Sequence, residues 1–338
     1  MTGLCESLPV LVVPFAACIV IASLHCYMGL HVIRRGVIFV DLALAQSAAL
    51  GAAVALLVAP LIWPETLAPH SHGLTNLAAP TESQLADQLA LEEEAPDAQT
   101  HAASGHTEHD AHGEGHHDEH GRFGYAMSLL FALLGAVLLS VGRFRDERVP
   151  HEAIIGIIFV VCAALSVLIL SKAPHGHEKM EAMLIGSILF VNWSQVGMMG
   201  LLYLGLGVLH IAVRKRLTEI TKDVAAADKA GIRVRYWDCL FYASFALMVT
   251  QSVGVAGVFV VFSFLIIPAA CALLFTERFG SQLVFAWVVA VVGTVAGLLL
   301  SAVGDMPTGS SLVSCFGAML VVCVVIRILL GKKKMGAT

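Results

Sequence analysis

Nine stretches of this sequence are apolar over a length that only a membrane-spanning helix uses: roughly 9–33, 37–62, 124–142, 152–171, 185–212, 238–255, 257–275, 282–303 and 311–330. A hydrocarbon core about 30 Å thick is crossed by about 20 helical residues rising about 1.5 Å each. Inside it, every backbone polar group must be satisfied within the chain, which a helix does by itself. The sequence therefore predicts an all-α, polytopic integral membrane helix bundle of about nine transmembrane helices. Composition agrees: 58% of residues are hydrophobic and 13% charged, against about 25% charged in soluble domains. That balance excludes a disordered chain, a collagen and a nucleic-acid-binding surface, and speaks against a water-soluble enzyme.

The division at 238–275 is the weakest, being one apolar run broken by Gly254 and Gly257, with Pro268 expected to kink or break its second half. Orientation follows from basic residues, which favour the cytoplasmic side. Arg34–Arg35, the cluster at 143–148, the cluster at 213–235, Arg278 and Lys332–Lys334 share one side if the spans alternate. The N-terminus is then expected outside and the C-terminus in the cytoplasm, in the plasma (bacterial inner) membrane. The chain divides into spans 1–2 (1–63), an external loop (64–122), spans 3–9 (123–331) and a basic cytoplasmic tail (332–338). Residues 217–235 read as a short cytosolic surface helix.

The external loop holds no Lys or Arg before Arg122. It turns acidic at Glu92, Glu93, Glu94 and Asp97, then ends in HAASGHTEHDAHGEGHHDEHG, carrying His101, His106, His109, His112, His116, His117 and His120. Such a composition builds no core and is expected to be disordered without a ligand. Imidazoles interleaved with carboxylates suit divalent transition metals. The irregular spacing points to several exchangeable sites rather than one structural tetrahedron. A solvated acidic spacer is the bland alternative.

Ionisable groups within spans are costly and mark pathways. Asp41 and Gln46, on the second span, and His25, on the first, are the candidate intramembrane ligands, Asp41 being the one acid well placed inside an apolar run. His25 also reads as a histidine hydrogen-bonded between helices. His31, Asn192, Gln195 and Gln251 are further polar residues at or within spans. Outside the fourth span, KAPHGHEK places His175, His177 and Glu178 close together, as a vestibule guard or an ordinary polar loop. The eight cysteines form no CxxC pair and read as small hydrophobes. HEAII at His151 lacks the second histidine of HExxH, and neither GxSxG nor a Walker A sequence occurs. The chain is therefore not itself an ATPase.

Five segments, in order, resemble the zinc/manganese/iron type of metal ABC transporter permease. They are HVIRRGVIFVDLALAQSAALG, HEAIIGIIFV, EAMLIGSILFVNWSQV, VGVAGVFVVFSFLIIPAACALLFTERF and GDMPTGSSLV. The third resembles that family's short half-helix. The resemblance covers nearly the whole chain apart from 64–122. It implies a homodimer of permeases, two ATP-binding subunits on the cytoplasmic side that use the ATP, and an external metal-binding protein that delivers the ion. It also implies ATPase coupling through the segment 276–282, chiefly Thr276, Glu277, Arg278, Phe279 and Gly280, with Glu277 available to an ATPase arginine. One departure stands out. The family's second span carries Asp and His four apart, whereas here Asp41 is followed by Ala45, and Gln46 lies five residues on, about 140° around an ideal helix.

These observations favour a permease subunit that imports a divalent metal by alternating access, zinc ranked first, then manganese or iron. No permanently bound cofactor is expected. The alternatives are a stand-alone secondary metal carrier and a membrane metal sensor that transports nothing.

Overall fold

The computed structural model describes residues 2–62, 114–142, 150–173, 176–186, 188–222 and 224–335. In chain order the elements are α1 (Thr2–Arg35), α2 (Val40–Ile62), α3 (Glu114–Val141), α4 (His151–Leu170), α5 (Gly176–Ile185), a 3-10 turn (Ile188–Phe190), α6 (Trp193–Lys222), α7 (Val224–Lys229), α8 (Val234–Ala256), α9 (Val258–Phe275), α10 (Phe279–Gly304) and α11 (Thr308–Met335). Among the described residues nine helices are long and apolar enough to cross a membrane: α1 to α4, α6 and α8 to α11. The all-α, nine-span expectation holds.

Helix α9 lies at the centre, packed on α1, α10 and α11, while α2 packs on α3 and α4, and α3 on α8. Helix α1 touches α6 as well as α9 and α10, and α6 packs in turn on α8. The core is aromatic where α8 and α9 cross it, with Phe241, Tyr242, Phe245 and Phe264 fully buried. The outer surface keeps Val160, Leu168, Leu201, Val303 and Val321 exposed, an apolar coat that suits lipid as its solvent. Since lipid tails compete equally for apolar side chains, helix contact in a bilayer depends on close approach at small residues. Gly51 of α2 does this: a Cβ there would meet the Ser128 Cα of α3 at 2.8 Å. Gly29 of α1 lies in the same way against the Leu265 backbone of α9.

Several boundaries differ from the sequence reading. Helix α3 begins at Glu114, so His116, His117 and His120 sit on its first turns rather than in the expected loop. His101, His106, His109 and His112 lie outside the described residues. The span expected at 185–212 starts at Trp193 and runs to Lys222. Its start is set by a reciprocal capping box, in which the Asn192 side chain accepts from the Gln195 N–H (2.9 Å) and the Gln195 side chain from the Asn192 N–H (3.1 Å). The expected surface helix at 217–235 therefore shrinks to α7, its first residues belonging to α6. The sixth span begins at Val234, not 238.

Helix α5, with 10 residues, is about 15 Å long and too short to cross. The segment 181–196 quoted for the half-helix covers the end of α5, the 3-10 turn and the start of α6. Helix α5 ends at Gly186, whose φ of 74° lies in the left-handed region, and Gly186 abuts Gly257 (φ 79°), the single residue between α8 and α9. A Cβ on Gly309 of α11 would lie 2.5 Å from the Ile185 carbonyl oxygen. Three glycines thus seat the half-helix against three elements. Helix α9 continues through Pro268 without interruption.

Candidate functional site

Helix α1 ends in a Schellman-type turn, with the Gly36 N–H donating to the Ile33 carbonyl (3.1 Å) and the Val37 N–H to that of Val32 (3.2 Å). The chain reverses there, and Asp41 falls in the first turn of α2. Glu152 of α4 reaches across to this start, its Oε1 accepting from the Phe39 N–H at 3.2 Å.

Asp41 is 1% exposed, and its Oδ1 has no hydrogen-bond partner among the described residues; the buried Oε2 of Glu152 has none either. A buried carboxylate without a cation or donor is costly, and the N-terminal dipole of α2 offsets only part of that cost. Chemically, such a group can take up a cation or a proton.

Gln46 is also buried, but α2 is regular α-helix through both residues. Five residues on a regular helix leave Asp41 and Gln46 about 140° apart. His25 is fully enclosed and tied to protein on both nitrogens: Nδ1 to the Ile21 carbonyl (2.9 Å) and Nε2 to Ser252 Oγ on α8 (3.3 Å). Since a carbonyl only accepts, Nδ1 carries the proton, while the Ser252 hydroxyl beside Nε2 also has the Met248 carbonyl as an acceptor at 2.8 Å. His175 lies outside the described residues, as does the side chain of His177, while Glu178 is exposed in the first turn of α5. Among the described residues no group of three His, Cys, Asp or Glu side chains converges to hold a metal.

A second polar cluster sits where α1 ends, and the sequence reading missed most of it. Arg35 Nη1 donates to Asp238 Oδ1 of α8 at 2.9 Å, with side chains 1% and 0% exposed. Asp41 is therefore not the only enclosed acid. Asp238 lies in the second turn of α8, which starts at Val234, and its charge is matched by Arg35. Arg35 Nε donates to Thr221 Oγ1 of α6 (3.0 Å), and its guanidinium lies 4.1 Å from the Phe241 ring centre. The Thr221 hydroxyl proton goes to the Leu217 carbonyl (2.7 Å), so His31 donates from Nδ1 to the same oxygen (3.0 Å). His210 pairs through Nε2 with Ser244 Oγ at 2.8 Å, and Tyr27 lies edge-on to both histidine rings.

The segment singled out for coupling is the turn between α9 and α10. Thr276 caps α9, Arg278 precedes α10, Glu277, Arg278 and Gly280 are exposed, and Phe279 packs inward on Tyr27 and His31. Arg34 Nη2 donates to Gln282 Oε1 (2.6 Å) and to the Glu277 carbonyl (3.3 Å). Gln282 closes the segment 276–282 read from the sequence for coupling, but a glutamine just inside a span carried no pattern that marks a tie to another helix.

The profile of the ABC 3 transport family matches residues 123–327. The manganese transport system membrane protein MntC of Halalkalibacterium halodurans is 28% identical over 193 residues, 53% of this chain and 64% of that protein. The chelated iron transport system membrane protein YfeC of Yersinia pestis is 26% identical over 57% of this chain and 65% of its own length. The high-affinity zinc uptake system membrane protein ZnuB of Haemophilus influenzae is 26% identical over 58% of this chain and 75% of its length. The matched stretch thus spans a little under two thirds of the MntC and YfeC relatives. Among solved structures, PsaBC from Streptococcus pneumoniae in complex with Fab superposes with a TM-score of 0.63 at 17% identity, covering 94% of this chain and 92% of that one. An inward-facing putative metal-chelate type ABC transporter gives a TM-score of 0.58 at 14% identity, with 93% and 85% covered. These likenesses agree in fold.

Proposed function

Because the chain belongs to the ABC 3 transport family, we propose that it is the membrane permease subunit of an ABC transporter importing a divalent transition-metal cation. The chain is a multi-pass protein of the cytoplasmic membrane. It works as a homodimer with two ATP-binding subunits and an external metal-binding protein, and the ATP is hydrolysed by the partners. The end of the bundle where α1 stops and α2 starts faces the cytoplasm, as the basic clusters favour.

Relatives named for manganese, iron and zinc all resemble this chain, so the metal is chosen on chemistry. The His-rich segment before α3 favours a nitrogen-seeking ion, and zinc ranks first, then manganese or iron. The observation that carries the proposal is Asp41, an enclosed carboxylate with an unmatched oxygen at the start of α2. In this reading the passing cation supplies the missing partner. Gln46 and His25 border the route, and the turn at 276–280 receives the ATPase.

The test is uptake of radiolabelled zinc, manganese and iron into liposomes holding the chain with its ATPase and external binding protein. ATP-dependent uptake that vanishes in Asp41→Ala, with the complex still assembled, supports the proposal. Flux without the ATPase would make the chain a secondary carrier. Unchanged uptake in Asp41→Ala would remove that residue from the route, and metal binding without uptake would leave a sensor.

A further inference from the structure

Arg34 and Arg35 are the last two residues of α1, yet their side chains tie to different helices, Arg34 to α10 and the turn before it, Arg35 to α6 and α8. On one side Arg34 Nη2 holds Gln282 Oε1 (2.6 Å) and the Glu277 carbonyl (3.3 Å), and the guanidinium lies 5.3 Å from the Phe279 ring centre. Gln282 is buried and donates in turn from Nε2 to the Thr276 carbonyl at 2.5 Å. One guanidinium and one amide therefore hold the turn at both ends. On the other side Arg35 holds Asp238 of α8 (2.9 Å) and Thr221 of α6 (3.0 Å), and His31, one turn earlier on α1, holds the same threonine. Hydrogen bonds with an ionised donor are shorter and stronger than neutral ones. Consecutive residues of one helical turn share a stiff backbone.

We propose that Arg34 and Arg35 form a relay: Arg34 converts displacement of the 276–280 turn into movement of the end of α1, and Arg35 passes it to the adjoining ends of α6 and α8. Arg34 is a positioning residue, since it acts on transport through other groups. The packing of Gly29 on the Leu265 backbone resists sliding of α1 along α9, so a pull at Arg34 tilts the helix end. The proposal rests on the turn at 276–280 being where the ATPase binds, as given above.

Hydrogen exchange of the full chain in lipid nanodiscs tests the relay without any partner. In Arg34→Ala, amides of 276–283 should exchange about tenfold faster, and so should those at 217–222 and 234–241. Gln282→Ala, which breaks the same link from the other side, should reproduce the pattern. Acceleration confined to 276–283, or none, overturns the relay. In liposomes holding the chain, its ATPase and the external binding protein, Arg34→Ala should keep ATP hydrolysis while zinc moved per ATP falls about tenfold, with partial rescue by Arg34→Lys. An unchanged ratio also overturns it. If the unaltered complex moves no metal with ATP, the proposed function fails, while the exchange pattern still decides whether the two arginines are linked.

Discussion

Gly186 and Gly257 meet backbone to backbone, each with φ in the left-handed region. A Cβ on Gly257 would lie 2.6 Å from the Ile185 carbonyl carbon and 2.8 Å from the Gly186 Cα. Alanine at Gly257, whose φ of 79° and ψ of 161° form a combination used almost only by glycine, carries a backbone penalty of about 1–3 kcal/mol and an overpacking cost of about 1–3 kcal/mol. Gly36 shares the positive φ but has open space around it, so alanine there should cost only the first part. Thermal unfolding in detergent should rank Gly257→Ala and Gly186→Ala well below Gly36→Ala. Three equal losses would show that the contact does not matter.

Removing one partner of the enclosed Arg35–Asp238 pair strands the other charge, at about 3–5 kcal/mol. Asp238→Ala should therefore express poorly and unfold early. Asp238→Leu combined with Arg35→Met should regain much of the loss. The exposed Arg216–Glu219 pair, at 3.3 Å with side chains more than half exposed, should give about 0–1 kcal/mol when broken. If Glu219→Ala proved as damaging as Asp238→Ala, burial would not be the deciding factor.

Asp41→Asn should behave in the opposite way. It removes a buried charge whose Oδ1 has no partner while keeping the shape, so the melting temperature should hold or rise even as metal uptake is lost. A marked drop in stability would mean that the carboxylate is held by contacts and has a structural role.

Deleting residues 100–113 should lower uptake chiefly when metal is scarce, because weak, exchangeable imidazole sites raise local metal concentration without forming the route. The cut stops before Glu114, where α3 begins. Whole-cell metal content across a range of external zinc is the measurement. Loss of uptake even at abundant zinc would assign the segment an essential step.

The number and kind of elements were legible because apolar runs about 20 residues long permit little else in a bilayer. Individual boundaries were less so. The run from 185 reads as one span until the Asn192–Gln195 box starts α6 at Trp193. Asp41 stood out because its flanks are apolar. Asp238 did not, since Arg233, Arg235 and Tyr236 before it look like loop, and its partner Arg35 is 203 residues away. Glu152 carried no mark in the sequence, because its bond to the Phe39 amide joins two helices that no local pattern connects. Pairings across the bundle depend on which helices become neighbours, and hydrophobic periodicity does not carry that.

Helices α8 and α9 are joined by Gly257 alone and run on with α8 beside α3 and α9 beside α1 and α11, while α2 touches both. A corner of one residue has no slack. The two spans are joined like the arms of tongs at the tip, so any widening between them must occur at the opposite ends, at Val234 and Phe275.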